Sequence, residues 1–197
     1  MIKKNEITGA ILAGGQARRM QGQDKGLILF KNKPLIEHVI DIFKPQVGKL
    51  VINANRNHTK YGQYGLKIIA DEFDDYLGPL AGMASVLNVI KTPYLVTAPC
   101  DCPFLSTELV SYLSQAMTNE NADISVAHNG ERLQPVFCML KRSLMTSINQ
   151  YLDNGNRKID EWFKGHNMAI ADLSNFPDSF KNFNSHQEIV IAEENDG

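Results

Sequence analysis

The segment 12–25, LAGGQARRMQGQDK, sets two adjacent glycines after an apolar run and then supplies Arg18, Arg19 and Lys25 within eleven residues of Gly14. That arrangement suits phosphate. Glycines let backbone N–H groups approach an anion closely, and cationic side chains complete the charge balance. A plain βα turn accounts for Gly14 and Gly15 taken alone, but it has no need for three cations and an Asp24–Lys25 pair. The spacing fits neither the G-x-G-x-x-G of a dinucleotide fold nor the G-x-x-x-x-G-K-[ST] of a P-loop, because Lys25 is followed by Gly26 and not by a hydroxyl.

A second chemical signal is the segment 94–103, YLVTAPCDCP, an apolar run that ends in Asp101 between Pro99 and Pro103. A carboxylate at the end of a buried strand suits Mg2+, which keeps several waters and takes one or two carboxylates plus substrate phosphates. The residues equally allow a turn or helix-capping aspartate, since Pro103 and Ser106 bring turn chemistry of their own. Asp71 follows the apolar run 66–70, so it should lie at a strand end where a carboxylate can accept from a ligand. Its alternative is the start of an acidic loop with Glu72, Asp74 and Asp75. Asn53, after Val51 and Ile52, reads either as a ligand contact or as a turn residue. The segment 78–82, GPLAG, enters a helical pattern in which Leu80, Met83, Ala84 and Leu87 share a face, so Gly82 admits close approach of a ligand, of backbone or of a neighbouring helix.

The elements that must carry these residues alternate. Strand patterns at 7–12, 50–54, 67–70, 94–98, 124–127 and 135–140 are separated by helical spacing at 35–43, 80–90, 106–117 and 144–151, and Ser185 to Glu188 resembles a capping box. Such alternation predicts an α/β fold of stacked βαβ units on a mainly parallel sheet. At 197 residues and 43% apolar content the chain supports one domain, 1–197. No apolar stretch is long enough to span a bilayer and no cleavage-site pattern opens the chain, so a cytoplasmic protein without membrane contact is expected. A net charge of -2 argues against a nucleic-acid surface. Cys100, Cys102 and Cys138 lack the second pair of a zinc site and read as reduced thiols, and the five histidines are dispersed and take no role.

These motifs together resemble the nucleotidyltransferases that carry a G-G-x-x-x-R-M-G-x-D-K signature, and among them the molybdenum cofactor guanylyltransferases. The resemblance rests on 12–15 (LAGG), Arg19 with Met20, 24–26 (DKG), 53–56 (NANR), Asp71, 78–82 (GPLAG), 99–103 (PCDCP) and 182–184 (NFN), and it spans nearly the whole chain. One departure is Gln21, which stands where the family has glycine after Arg-Met, with Gly22 next.

The resemblance implies a three-layer, Rossmann-like nucleotidyltransferase fold with helices on both sheet faces. It implies GTP binding by Leu12, Ala13, Gly14, Gly15, Lys25, Asn53, Asp71, Gly78, Gly82 and Asp101, catalysis by Lys25, Arg19 and Asp101, and Mg2+ on Asp101. The family's guanine preference goes with 12–15 and 78–82, where cytidylyl relatives differ. On this reading residues 1–105 bind nucleotide and metal. Residues 106–192 take the second substrate, molybdenum-loaded molybdopterin, through Arg157, Lys158, Asn182 and Asn184, although the sequence alone reads these four as loop residues. Transient partners are implied as well, in cofactor assembly proteins and acceptor molybdoenzymes.

Overall fold

A computed structural model describes residues 2–15, 24–72, 78–183 and 186–194. Arg18, Arg19, Gln21 and Gly22, together with Asn184 and Ser185, lie outside the described residues. The main sheet contains β1 (Ile7–Leu12), β4 (Lys49–Asn53), β5 (Lys67–Ile69), β6 (Tyr94–Pro99), β7 (Ile124–His128), β8 (Leu133–Lys141) and β9 (Met168–Asp172), in the order β5-β4-β1-β6-β8-β7-β9. Only β8 runs against its neighbours: β6 and β7 both pair with it antiparallel, whereas β1 pairs parallel with β4 and β6, and β7 parallel with β9. A small hairpin of β2 (Leu29–Phe30) and β3 (Lys33–Pro34) stands apart, its turn made by Lys31 and Asn32 at positive φ.

Helices α1 (Leu35–Phe43), α2 (His58–Gly62), α3 (Pro79–Val89), α4 (Leu109–Asn119), α5 (Met145–Asp153), α6 (Ile159–Phe163) and α7 (His186–Glu194) fill the connections. Strand β1 is buried along almost its whole length, as a central parallel strand must be. Its alternate side chains reach opposite layers. Ile7 and Ile11 pack with Ile36, Val39 and Phe43 of α1 and with Leu109 and Leu113 of α4. Ala10 packs with Leu80, Met83 and Leu87 of α3, Ile148 of α5 and Trp162 of α6. Helices therefore cover both faces of the sheet, giving the expected three layers.

Helix α1 forms where its apolar stripe predicts, with Leu35, Ile36, Val39, Ile40 and Phe43 buried. Helix α4 starts later than the pattern at 106–117 suggests. Ser106 Oγ accepts from the Glu108 N–H at 3.0 Å and Leu109 N donates to the Ser106 carbonyl, so the segment before Leu109 is taken up by turns.

The chain crosses from one side of β1 to the other after β5, placing β4 and β5 on one flank and β6 on the opposite flank. That reversal opens a crevice beyond the carboxyl ends of the strands. Backbone hydrogen bonds fix its rim: Ala13 N donates to Asn53 O at 2.8 Å, Cys100 N to Leu12 O at 3.2 Å, and Ala54 N to Ile69 O at 3.0 Å.

Candidate active site

The crevice holds a cavity of about 370 Å³ lined by residues from each of these strand ends, a size suited to a small-molecule site. Leu12, Ala13, Gly14, Gly15, Lys25, Asn53, Asp71, Gly78 and Asp101 all line it, so nine residues from six separate places in the sequence converge on one space. Gly82 stands directly behind it. A Cβ at Gly82 would overlap Asn53 Oδ1, and a Cβ at Gly14 would lie 3.2 Å from Asn55 Nδ2 and 3.3 Å from Asn53 Oδ1. The two glycines thus make room for an asparagine pair, and Gly82 is a packing requirement of the site wall. Gly78 caps α3 at φ 79, ψ -172, a backbone region open essentially to glycine, and Pro79 then occupies the first helical position.

The asparagines hold Asp71. Asn53 Nδ2 donates to Asp71 Oδ1 at 2.8 Å and to the Ile69 carbonyl at 3.1 Å, while Asn55 Nδ2 donates to Asp71 Oδ2 at 2.7 Å. Asn55 also accepts from the Asp71 backbone N–H at 2.7 Å. Each carboxylate oxygen keeps a second lone pair, so the clamp orients Asp71 and leaves it able to accept from a ligand. Replacing Gly82 by alanine is expected to push Asn53 aside and break this clamp, weakening nucleotide binding about tenfold together with a stability loss on the order of 1–3 kcal/mol from overpacking. Nucleotide titration and thermal unfolding of the variant measure the two effects, and unchanged affinity would separate Gly82 from the site.

On the same cavity, Lys25 Nζ donates to Asp101 Oδ2 at 3.0 Å. Asp101 is buried, with an exposure of 7%, and Cys100 and Cys102 flank it. Burial pushes both thiols well above their usual range, and the adjacent Asp101 carboxylate pushes them further. All three cysteines are free, buried and held as thiols. Among the described residues no group of three or more His, Cys, Asp or Glu side chains could cage a metal ion. A single carboxylate facing a cavity is nonetheless the donor set Mg2+ takes when phosphates supply the rest, so Asp101 fits that ion.

The residues expected to face the second substrate divide. Asn182 lines a neighbouring cavity of about 510 Å³ with Phe104, Lys181 and Phe183. The next residue joins this cavity to the first, because Phe183 N donates to the Asp101 carbonyl at 3.1 Å. Arg157 and Lys158 line neither cavity. The Arg157 guanidinium instead donates to the Leu152 carbonyl at 2.6 Å, satisfying the end of α5. Residues to which the sequence reading gave no ligand contact also line the first cavity, among them Asp24, Pro79, Cys100 and Val136, and Asn55 stands behind Asp71. The Asp24–Lys25 doublet was the available signal for the first of these.

A three-layer α/β fold that brings a lysine–aspartate pair, two adjacent glycines and a clamped carboxylate to one cavity at its switch point is the arrangement of a nucleotidyltransferase, the class that the family match gives. Residues 9–169 match the MobA-like NTP transferase domain, and the chain belongs to that family. The molybdenum cofactor guanylyltransferase of Shewanella sediminis is 48% identical over 183 residues, covering 93% of this chain and 93% of that protein. The protein of the same name from Shewanella pealeana is 44% identical over 196 residues, 96% of this chain and 98% of its own. Among solved structures, molybdopterin-guanine dinucleotide biosynthesis protein A from Archaeoglobus fulgidus is similar in fold, with a TM-score of 0.77 at 22% identity over 95% of this chain and 97% of that one. No helix of the described residues is long and apolar enough to cross a membrane.

Proposed function

We propose that the cavity binds GTP and that the chain transfers its GMP to the terminal phosphate of molybdenum-loaded molybdopterin, giving molybdopterin guanine dinucleotide cofactor and pyrophosphate. The convergence of Gly14, Lys25, Asp71 and Asp101 on one cavity carries this reading, and curated guanylyltransferase relatives spanning nearly the whole chain support it. The acceptor phosphate oxygen is already an anion and attacks the α-phosphorus in line, so no strong general base is required. Catalysis then reduces to alignment and neutralisation of charge. Gly14 and Gly15 cradle the phosphates, while Lys25, with Arg19, stabilises the charge that develops on the departing pyrophosphate. Asp101 would hold Mg2+, which when bound offsets phosphate charge. Asp71 accepts from the guanine N1–H and amino group, and Asn53 keeps it aimed.

Within 1–197 as one domain, this reading gives residues 1–105 to the nucleotide and metal and residues 106–192 to the pterin. Asn182 is supported as a pterin contact by its place beside Asp101, and Asn184, Arg157 and Lys158 belong to the same proposal. A cytoplasmic location, with transient contacts to assembly proteins and acceptor molybdoenzymes, completes it. Three free, buried cysteines agree with a reducing compartment.

Calorimetric titration with GTP, CTP, ATP and UTP, with and without Mg2+, tests the assignment. GTP preference, followed by magnesium-dependent pyrophosphate release in the presence of the pterin, is the expected result; CTP preference would overturn it. Asp71→Asn presents an amide donor to the guanine donors, and is expected to weaken GTP binding by about tenfold or more while CTP binding stays as weak as before. Equal GTP affinity in this variant would remove Asp71 from base recognition.

A further inference from the structure

Asp24 is a buried carboxylate, 6% exposed, directly before the residue on which catalysis is proposed to turn. Lys25 begins a single 3-10 turn, Lys25–Leu27, and Leu27 N donates to the Asp24 carbonyl at 3.0 Å. The Asp24 side chain does not cap that turn. It points to the connection after β4 instead. Tyr61 donates its hydroxyl to Asp24 Oδ1 at 2.6 Å, Asn57 Nδ2 donates to Oδ2 at 3.1 Å, and Arg56 Nε lies 3.6 Å from Oδ2. Three donors from one short segment therefore converge on one carboxylate.

The donors are themselves fixed. Tyr61 is fully buried, and its hydroxyl stands so close to Gly26 that a Cβ there would lie 2.8 Å away. Asn57 occupies the position before α2 with φ 54, and its amide is turned to Asp24 and makes no cap hydrogen bond to the helix. A buried carboxylate is costly unless it is hydrogen-bonded, so the bonds from Tyr61 and Asn57 tie the chain at residue 24 to the connection after β4. Lysine carries its charge on a flexible four-carbon stem, so anchoring its root is what the fold can do to aim it. From that root Lys25 Nζ reaches Asp101 Oδ2 at 3.0 Å.

We propose that Asp24 is a positioning residue, held by Tyr61 and Asn57, that sets where the Lys25 ammonium meets the nucleotide phosphates. The inference rests on the reading of Lys25 as acting on those phosphates. Misplacement by about 1 Å at a site of this kind can cost on the order of a hundredfold in rate, so loss of one anchor should be visible without loss of the fold.

A double-mutant cycle tests it, with kcat/KM measured for pyrophosphate release from GTP and the pterin, and single-turnover conditions for the slow variants. Tyr61→Phe removes one hydroxyl, and is expected to lower kcat/KM about tenfold when Lys25 is present and less than about twofold in a Lys25→Ala background. Asn57→Gly keeps the left-handed backbone accessible and deletes only the amide. It should lower kcat/KM about threefold, again only with Lys25 present. Thermal midpoints accompany each variant, and Asn57→Gly decides the question should Tyr61→Phe fail to fold. Equal losses in both backgrounds, with Lys25→Ala itself impaired, would overturn the positioning role and leave the Lys25 reading standing. Wild-type-like activity of Lys25→Ala would overturn the Lys25 reading and the positioning role with it.

Discussion

Replacing Lys25 by alanine is expected to lower guanylyl transfer by about a thousandfold. A unit charge some 4 Å from a phosphate oxygen is worth on the order of 4 kcal/mol at an effective dielectric of 20, and each 1.36 kcal/mol is a factor of about ten in rate. The side chain is only part-buried and stands on the first residue of a single 3-10 turn, so little of the core depends on it. Circular dichroism should be unchanged and the thermal midpoint should move by a few degrees at most. Because Asp101 loses the cation 3.0 Å away, whatever stability is lost should be partly recovered when Mg2+ and nucleotide are added. Wild-type-like turnover would refute the role assigned to Lys25.

Asp101→Asn is expected to act on a different variable. The amide preserves the size of the side chain and can still accept from Lys25 through its oxygen, but it removes the charge that would attract a divalent cation. Turnover at moderate magnesium should fall on the order of a hundredfold, and the Mg2+ concentration for half-maximal rate should rise by about tenfold or more. Titrating Mg2+ at fixed GTP separates this outcome from the Lys25 variant, whose magnesium requirement should stay near that of the parent. An Asp101→Asn protein with the parental magnesium curve would take the metal away from this carboxylate.

The parts of the fold that were legible are those in which one local pattern decides the outcome. Helix α1 carries five buried residues at helical spacing, and β1, β6 and β7 are short runs rich in apolar residues and buried along almost their whole length. Strand β9 was not legible. It is a five-residue edge strand with Ile170 half exposed, so its pattern does not stand out from the polar residues around it. Helix α6 spans only Ile159–Phe163, too short for periodicity to register.

The site divides along the same line. Gly14 and Asp101 were visible because residue type and position at a strand end suffice to suggest phosphate or metal chemistry, and Lys25 because it follows the glycines by only eleven residues. The work of Asp24 and Asn55 was not visible, because it depends on partners brought together by the fold: Tyr61 lies 37 residues from Asp24, and Asp71 lies 16 from Asn55. Arg157 is a further case: the sequence alone reads it as a loop residue, and only the fold shows that its guanidinium donates to the Leu152 carbonyl at the end of α5.

The hydrogen bond from Phe183 to the Asp101 carbonyl bears on how the molecule is made. It closes one of the longest loops in the chain, spanning β7, β8 and β9, and Phe183 then packs against Phe30 and Phe104 in a small cluster of its own. Contacts of such separation carry a closure entropy that local turns do not. During synthesis the strand ends around Leu12 and Asn53 can assemble early, but the wall beside Asp101 is completed only once residue 183 has left the ribosome. A chain interrupted in α5 or α6 would therefore lack the part of the crevice wall that Phe183 supplies.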